Sequence, residues 1–150
     1  MNLDMKIKKG SEINVSIDSL AFGGKGIARY NNIVIFVKNG IPGQDLKVVI
    51  IKKSKNYFEA KIIEIISESQ HYKEPVCEHF TYCGGCSFQN LDYQIQVEQK
   101  FNQVKEIFNR IGNLQGFIIE SIEKCDTNYN YRNKMEFTFS NRRWILKEEP

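Results

Sequence analysis

The sequence predicts a mainly β fold with one long helix, in which a small β-barrel precedes an incomplete α+β unit. Three observations support this prediction. Residues 10–67 consist of short apolar alternations separated by turn residues, a pattern typical of half-buried strands. An apolar stripe of helical period follows after residue 92. Further β-branched and aromatic runs come after residue 115, and these favour additional strands.

The first half of the chain predicts five strands. The segment INVSIDSL places Ile13, Val15 and Ile17 on one face, and NNIVIFVKNG is a β-branched run that ends at a turn. Between these two segments, AFGGKGIARY makes the fifth strand, and its glycines permit sharp bends. The stretch IPGQDLKVVIIKKSKNYFEAKIIEII adds two strands joined across a lysine-rich turn. Residues 1–68 are therefore expected to form an antiparallel barrel of the oligonucleotide-binding (OB) kind.

The second half predicts a hinge and cysteine loop over residues 69–90 and then a long helix. Asp92 is expected to cap the helix, because its carboxylate can accept amide protons of the first turn. Gly112 is placed to end it. The apolar stripe that we expect to be core is Val97, Phe101, Val104, Phe108 and Ile111. The segments GFIIESIEK, YRNKMEFTFS and RRWILKEEP predict strands, so residues 91–150 are expected to begin an α+β domain that stops short.

Composition excludes several classes of protein. The apolar share of 41% and the aromatic share of 12% are those of a folded chain. No apolar run approaches the roughly 20 residues that cross a bilayer. The opening MNLDMKIKKG lacks the apolar core of a signal peptide. We therefore expect a cytoplasmic protein with reduced thiols and no membrane partner.

Positive charge is concentrated in the first half of the chain. Residues 1–75 hold 12 Lys and Arg against 8 Asp and Glu, whereas residues 76–150 hold 9 against 10. Such a basic excess attracts phosphate backbones, although a solvated lysine-rich turn is the alternative. Tyr30 and Tyr57 are the barrel aromatics that we expect to be exposed. The cations expected to meet phosphates in this half are Arg29, Lys52, Lys53 and Lys55.

Three cysteines lie within ten residues, in the segment CEHFTYCGGC. Cys77, Cys83 and Cys86 have the spacing C-x5-C-x2-C, and two glycines let the backbone fold tightly between the last two. Iron–sulfur clusters take cysteine thiolates, usually four, and structural zinc takes four Cys or His ligands. For zinc, the fourth ligand could be His79 or Cys125. The spacing favours a metal or cluster over inert thiols and leaves iron–sulfur and zinc both open.

These motifs together resemble a known family. The sequence is similar to the N-terminal part of the bacterial RNA uracil-5-methyltransferases that use S-adenosylmethionine, in the iron–sulfur branch that acts on 23S ribosomal RNA. GGKGIAR and FVKNGIPGQ resemble the family's TRAM domain, an RNA-binding barrel. CEHFTYCGGC resembles its cluster loop, and Gln89, Tyr93, Gln94 and Lys100 continue the pattern into the helix. YRNK at residues 131–134 resembles a stretch of the family's central domain.

The resemblance implies a [4Fe–4S] cluster. Cys77, Cys83 and Cys86 would supply three of its ligands. The family's fourth cysteine follows the YRNK stretch, whereas Cys125 precedes it, so Cys125 does not match that position. The fourth ligand is therefore expected to be missing or external.

The YRNK stretch supplies two further candidate RNA contacts. Arg132 and Lys134 lie two residues apart on a predicted strand, where a guanidinium and an ammonium can grip phosphates. The alternative is that they pair with Glu136 or Glu123 across a sheet. The resemblance favours contact with ribosomal RNA.

The resemblance also implies that the catalytic machinery lies elsewhere. Family members continue into a domain that binds S-adenosylmethionine and carries a nucleophilic cysteine. None of the four cysteines here matches that position, so no catalytic residue is assigned and a fragment inactive on its own is expected. The alternative is a self-sufficient RNA-binding adaptor, stabilised by a zinc site of three cysteines and His79.

Overall fold

The computed structural model describes residues 7–134, 136 and 138–143. Six strands and one helix are formed within these residues. No helix in this part of the chain is both long enough and apolar enough to cross a membrane. The elements are β1 (Glu12–Ser16), β2 (Ser19–Leu20), β3 (Gly26–Tyr30), β4 (Ile33–Lys38), β5 (Asp45–Lys53), β6 (Tyr57–Ser67) and α1 (Tyr93–Arg110).

The six strands form one curled sheet in the order β1-β5-β6-β4-β3-β2. Neighbouring strands are antiparallel except β4 and β6, which are parallel. The two edge strands, β1 and β2, are separated in the chain only by Ile17 and Asp18. The Ile17 N–H donates to the Gln44 carbonyl (2.9 Å), beside β5, whereas the Asp18 N–H donates to the Ile27 carbonyl (2.8 Å) of β3. One bent strand thus borders both ends of the sheet.

This arrangement confirms the predicted fold class, mainly β with an OB-like barrel and one helix. The expectation that all strand pairs are antiparallel was wrong for β4 and β6, which are parallel. β1 and β2 are the two halves of the first predicted strand, so the five predicted strands correspond to the six observed. Alternate residues of each strand point inward, because the side-chain period of a strand is two. The buried core of the barrel consists of Ile7, Ile13, Val15, Ile17, Ala28, Ile35, Val37, Leu46, Val48, Ile50, Phe58 and Ala60.

The helix begins where the sequence predicts. The Asp92 carboxylate accepts from the Gln94 N–H at 2.9 Å and caps the first turn. The last helical residue is Arg110, and the Gly112 N–H donates back to the Ile107 carbonyl at 3.1 Å.

The predicted apolar core stripe of the helix is buried only in part. Val97 is buried, whereas Val104 and Phe108 are more than two-fifths exposed and Ile111 is 81% exposed. The prediction that the whole stripe is core was wrong. Within the described residues, the barrel side covers the N-terminal part of α1. The C-terminal part stays largely exposed, although the Phe117 ring lies 5.3 Å from the Phe108 ring, centroid to centroid.

The strands predicted after residue 115 are not formed within the described residues. Residues 116–124 and 131–134 have no strand hydrogen bonding, and Ile118, Tyr131 and Phe139 are largely exposed. A strand is stable only when a neighbouring strand pairs with its backbone N–H and C=O groups. The described residues offer these segments no such neighbour. Most of the third predicted strand, residues 144–150, lies outside the described residues.

Candidate nucleic-acid interface and cysteine loop

The outward side chains of β3, β4 and β6, together with Lys52 of β5, form a surface that combines aromatic rings and cations. We call this surface the outer face. Strand register places Phe36 beside Glu59 and Lys38 beside Lys61, and Lys52 of β5 lies on the other side of Glu59. The members of the outer face are Arg29, Phe36, Lys38, Lys52, Tyr57, Glu59 and Lys61.

An aromatic pair lies in the middle of the outer face. The ring centroids of Phe36 and Tyr57 are 5.4 Å apart, and the rings meet edge to face at 71°. Both rings are half-buried, so part of each remains open to solvent. Tyr57 therefore agrees with the expected exposure only in part. Tyr30 packs against the barrel core, and the most exposed barrel aromatic is Phe22 (82%), in the loop between β2 and β3.

The charges of the outer face are organised around Glu59. Its carboxylate lies 2.7 Å from the Lys25 ammonium and 3.1 Å from the Lys52 ammonium. The hydrogen bond from Lys25, followed by that from Lys52, lowers the pKa of Glu59 below its ordinary value. The same contact with Glu59 raises the pKa of Lys52. One carboxylate is thus shared by two cations, and the group keeps a net positive charge.

The other predicted cations of the barrel have different surroundings. Arg29 pairs with Asp18, with 3.1 Å between Nη1 and Oδ2, and stays largely exposed. Lys53 donates to the Ile7 carbonyl at 2.8 Å and covers the Phe58 ring. Lys55 is exposed in the turn between β5 and β6. Arg29 and Lys52 therefore lie on the outer face, and Lys55 lies at its end.

The two cations of the YRNK stretch lie outside the barrel. Lys134 pairs with Glu136 at 2.9 Å, which is the alternative that the sequence left open for it. The Arg132 guanidinium approaches the cysteine loop, with Nη1 4.0 Å from the position that a Cβ on Gly85 would take. The structure therefore does not bring these two cations onto a shared strand.

The cysteine-rich segment, residues 73–90, is a loop closed at its base. We call it the cysteine loop. Tyr72 and Leu91 form an antiparallel bridge, and the Lys73 N–H donates to the Asn90 carbonyl at 3.2 Å. Inside the loop, the Cys83 N–H donates to the His79 carbonyl at 2.9 Å. The base of the loop is thus fixed by backbone pairing, while its middle is exposed.

The four thiols are all exposed, but they do not have the same surroundings. Cys83 and Cys86 line one cleft, and the Gly85 N–H points at the Cys83 sulfur at 3.3 Å. Cys77 lies earlier in the loop, where its N–H donates to the Gln89 side chain at 3.1 Å. Cys125 lies apart, because its N–H donates to the Tyr93 hydroxyl at the start of α1.

The donor set of the loop fits an iron–sulfur cluster in its chemistry, since three soft thiols and an N–H directed at sulfur are what such clusters use. The three thiols of Cys77, Cys83 and Cys86 are, however, not brought close together. Among the described residues, no three His, Cys, Asp or Glu side chains stand close enough to hold a metal ion. The His79 ring, the zinc alternative, is largely exposed and lies 3.7 Å from the Glu78 carboxylate.

The cysteine loop packs directly on the barrel. Gly24 has a φ of +93°, and a Cβ there would lie 3.0 Å from the Ser87 Cβ and 3.1 Å from the Phe88 ring. Phe88 packs in turn against a small buried cluster of Leu20, Ile41 and Leu91. A glycine is needed at position 24 both for its backbone conformation and for this close approach.

A cleft of about 260 Å³ opens between the two units. The barrel wall includes Lys25 and Lys38, which sequence reasoning missed. Their alternation with buried residues was visible in the sequence, but their proximity to the cysteine loop was not. The cleft is lined by Gly23, Gly24, Lys25, Lys38, Asn39, Thr81, Tyr82, Cys83, Gly84, Cys86 and Ser87.

Comparisons with known proteins agree with this architecture. Residues 6–63 match the family model of the TRAM domain. A protein of Porphyromonas gingivalis and one of Clostridium tetani are each 39% identical over 135 residues, 90% of this chain and 29% of theirs. A protein of Bacillus cereus is 32% identical over 136 residues, 91% of this chain and 30% of its own. All three are named "Uncharacterized RNA methyltransferase".

A conserved protein of Methanococcus maripaludis, solved in solution, is 28% identical and covers 43% of this chain and 100% of its own, with a TM-score of 0.37. The chain spans about three-tenths of the length of the curated relatives it matches. This is consistent with an N-terminal part of an RNA methyltransferase. The chain is therefore similar to the TRAM domain over residues 6–63 and, over nine-tenths of its length, to part of proteins named RNA methyltransferases.

Proposed function

We propose that this chain is the RNA-binding and cluster-binding portion of an S-adenosylmethionine-dependent methyltransferase that modifies C5 of uracil in 23S ribosomal RNA. The TRAM match and the names of the relatives support an RNA methyltransferase. The choice of uracil and of 23S RNA rests on the resemblance of the cysteine loop and the YRNK stretch. Transfer of the methyl group belongs, in this proposal, to the part of the relatives that this chain does not match.

The observation that carries RNA binding is the Phe36–Tyr57 pair, bordered by cations on the outer face. Bases stack on aromatic rings with about 1–3 kcal/mol per base, and phosphates pair with nearby ammonium and guanidinium groups. In OB-like barrels the corresponding face binds oligonucleotides. Arg29 and Lys52 border the pair on the strands, and Lys55 extends the positive charge beyond the end of β5.

The cysteine loop is proposed to hold the [4Fe–4S] cluster through Cys77, Cys83 and Cys86. When bound, the cluster supplies a one-electron redox centre and cross-links three points of the loop. The Gly85 N–H, already directed at the Cys83 sulfur, would stabilise that thiolate. The fourth ligand is proposed to come from outside these three residues.

RNA binding is tested by fluorescence anisotropy with a uridine-containing single-stranded RNA. We expect Tyr57→Leu to weaken binding roughly 5- to 150-fold, the equivalent of about 1–3 kcal/mol, because leucine fills space but offers no π face. Lys55→Ala should weaken binding and reduce the salt slope by about 0.7 if it meets one phosphate.

Lys47→Ala is the matched control for these variants. Lys47 lies on β5 but pairs with Glu12 and stands opposite Glu64, which is five residues beyond Glu59 and thus about 17 Å away along β6. Unchanged affinity in Lys47→Ala beside a loss in Tyr57→Leu supports the proposal. Equal affinities for all three variants and the wild type would refute the assigned face.

Cluster binding is tested by iron, zinc and acid-labile sulfide analysis after anaerobic purification. We expect about four irons with matching sulfide per chain, lost in Cys83→Ser and retained in Cys125→Ser. One tightly held zinc without sulfide would instead favour the adaptor alternative with His79 as a ligand. Full metal retention in Cys83→Ser would contradict the assignment of the loop.

A further inference from the structure

The cleft between the barrel and the cysteine loop has a cationic wall that the ion pairs of the barrel do not fully neutralise. Lys25 shares Glu59 with Lys52, so the three groups carry one excess positive charge. Lys38, at the end of β4, forms no ion pair with any described residue. Lys38 also lies two residues beyond Phe36 on the same strand face, so the cleft continues the outer face.

One glycine of the same wall, Gly23, leaves its backbone accessible, whereas Gly24 is covered by Phe88. A Cβ on Gly23, which lines the cleft, would meet no atom within 4 Å. Without side chains, a ligand can approach the backbone closely, as phosphates do in glycine-rich loops. The barrel wall therefore combines Lys38, Lys25 (whose ammonium is paired with Glu59) and the open backbone at Gly23.

The opposite wall is built from the cysteine loop. Tyr82 is 45% exposed and offers an aromatic ring at the cleft. Thr81 has a φ of +76°, a conformation that β-branched residues rarely adopt. Such strained positions concentrate where a ligand is held. Cys83 and Cys86 complete this wall.

We infer that this cleft binds a backbone phosphodiester of the RNA strand, so that the RNA passes from the outer face onto the cysteine loop. The inference rests on the proposed function and extends it, because it makes the cysteine loop part of the RNA interface. Lys25 and Lys38 hold the phosphate, and Tyr82 provides an adjoining surface for a base. The strand then covers Cys83 and Cys86 and leaves Cys125, beside Tyr93 on α1, uncovered.

The four exposed cysteines provide the test. Reduced, chelator-treated protein is alkylated with N-ethylmaleimide, with and without the uridine-containing RNA, and modification of each cysteine is followed by mass spectrometry. At an RNA concentration ten times the Kd, we expect Cys83 and Cys86 to react roughly tenfold more slowly, because the covered state dominates. The rate at Cys125 should be unchanged, since it lies outside the cleft.

Variants and a small ligand complete the experiment. Lys38→Ala should weaken RNA binding and abolish the protection of Cys83 and Cys86, whereas Lys47→Ala should change neither. Because Lys38 is exposed, we expect the Lys38→Ala variant to fold normally, and circular dichroism checks this. Inorganic phosphate at the same phosphate concentration should not protect the thiols. Equal protection by inorganic phosphate would identify a small-anion site and overturn the RNA assignment.

The remaining outcomes separate this inference from the proposed function. RNA that binds through the outer face without protecting Cys83 and Cys86 overturns the inference and leaves the proposed function standing. An equal slowing of alkylation at Cys125 also overturns the inference, because the effect of RNA would not be confined to the cleft. Absence of RNA binding by the wild-type chain overturns both.

Discussion

The Phe88 ring packs closely against the side of Gly24 on which a Cβ would stand. A Cβ built on Gly24 would stand 3.1 Å from the Phe88 ring, closer than ordinary van der Waals contact. Gly24 belongs to the loop between β2 and β3, whereas Phe88 closes the cysteine loop. This contact fixes the cysteine loop against one end of the barrel and gives the cleft its two walls.

We expect Gly24→Ala to destabilise the protein more than Gly23→Ala. Both glycines have positive φ values, +93° and +88°, so alanine costs about 1–2 kcal/mol of backbone strain at either position. Alanine at position 24 would also stand 3.0–3.1 Å from Ser87 and Phe88, so these side chains must shift by a few tenths of an ångström, and we expect a further cost of about 1 kcal/mol. The measurement is the free energy of unfolding from urea titrations. An equal loss of unfolding free energy in the two variants would show that the cysteine loop does not restrict the space at Gly24.

The attachment of α1 to the barrel depends on two glutamines that satisfy the backbone of β2. The Leu20 N–H donates to Gln99 Oε1 at 3.0 Å, and the Leu20 carbonyl accepts from Gln103 Nε2 at 2.8 Å. We expect Gln103→Ala to lower the free energy of unfolding by about 1 kcal/mol or more, because a part-buried carbonyl loses its partner. Asn102→Ala, at an exposed neighbouring position, should stay within about 0.5 kcal/mol of wild type. A similar effect of both variants would mean that the glutamine contact contributes nothing.

The carboxyl of Glu59 should titrate below its ordinary pKa of 4.5. Because its pKa is lower in the folded state than in the unfolded state, the stabilisation from its lysine contacts is present above the ordinary value. This stabilisation is lost as the pH falls through the lowered pKa. Carboxyl NMR shifts against pH measure the midpoint. Lys25→Ala should raise it more than Lys52→Ala, since the hydrogen bond from Lys25 is the larger cause. The reverse order would contradict the geometry described.

Replacing the same carboxylate should tighten RNA binding. Glu59→Gln removes the negative charge shared by Lys25 and Lys52, so both ammonium groups become available to phosphates. We expect a few-fold lower Kd near 0.1 M salt. The gain should shrink toward 1 M salt, where the Debye length falls to about 3 Å. Weaker binding by Glu59→Gln at low salt would show that Glu59 positions the lysines rather than neutralises them.

The strands of the barrel and the start of the helix were predictable because the sequence patterns that indicate them are local. Strand alternation around Ile13 and Val15, and the cap at Asp92, depend on residues close together in the chain. The bend at Ile17 and Asp18 shifts the inward positions, because Ile13, Val15 and Ile17 are buried at steps of two whereas Leu20 follows Ile17 at a step of three. Tyr30, like Tyr57, is exposed only in part, because it packs against a core that neighbouring strands complete.

The candidate site was predictable only in its components. The spacing of the three cysteines and the cluster of lysines are visible in the sequence, but the cleft brings together Lys38 and Cys83 from distant parts of the chain. The segments after residue 115 were predicted as strands from composition, yet strand formation depends on a pairing partner that composition does not reveal. Lys134 pairs with Glu136, two residues away, which is the alternative to RNA contact that the sequence left open.

The most direct test of the account is to map amide and aromatic NMR shifts during titration with the uridine-containing RNA. We predict that the largest changes fall on Phe36 and Tyr57 and extend through Lys38 to Tyr82, with no change at the exposed end of α1. This result would place RNA on the outer face and on the cysteine loop at once. Changes confined to α1 and β1, with Phe36 and Tyr57 unaffected, would contradict the assigned interface.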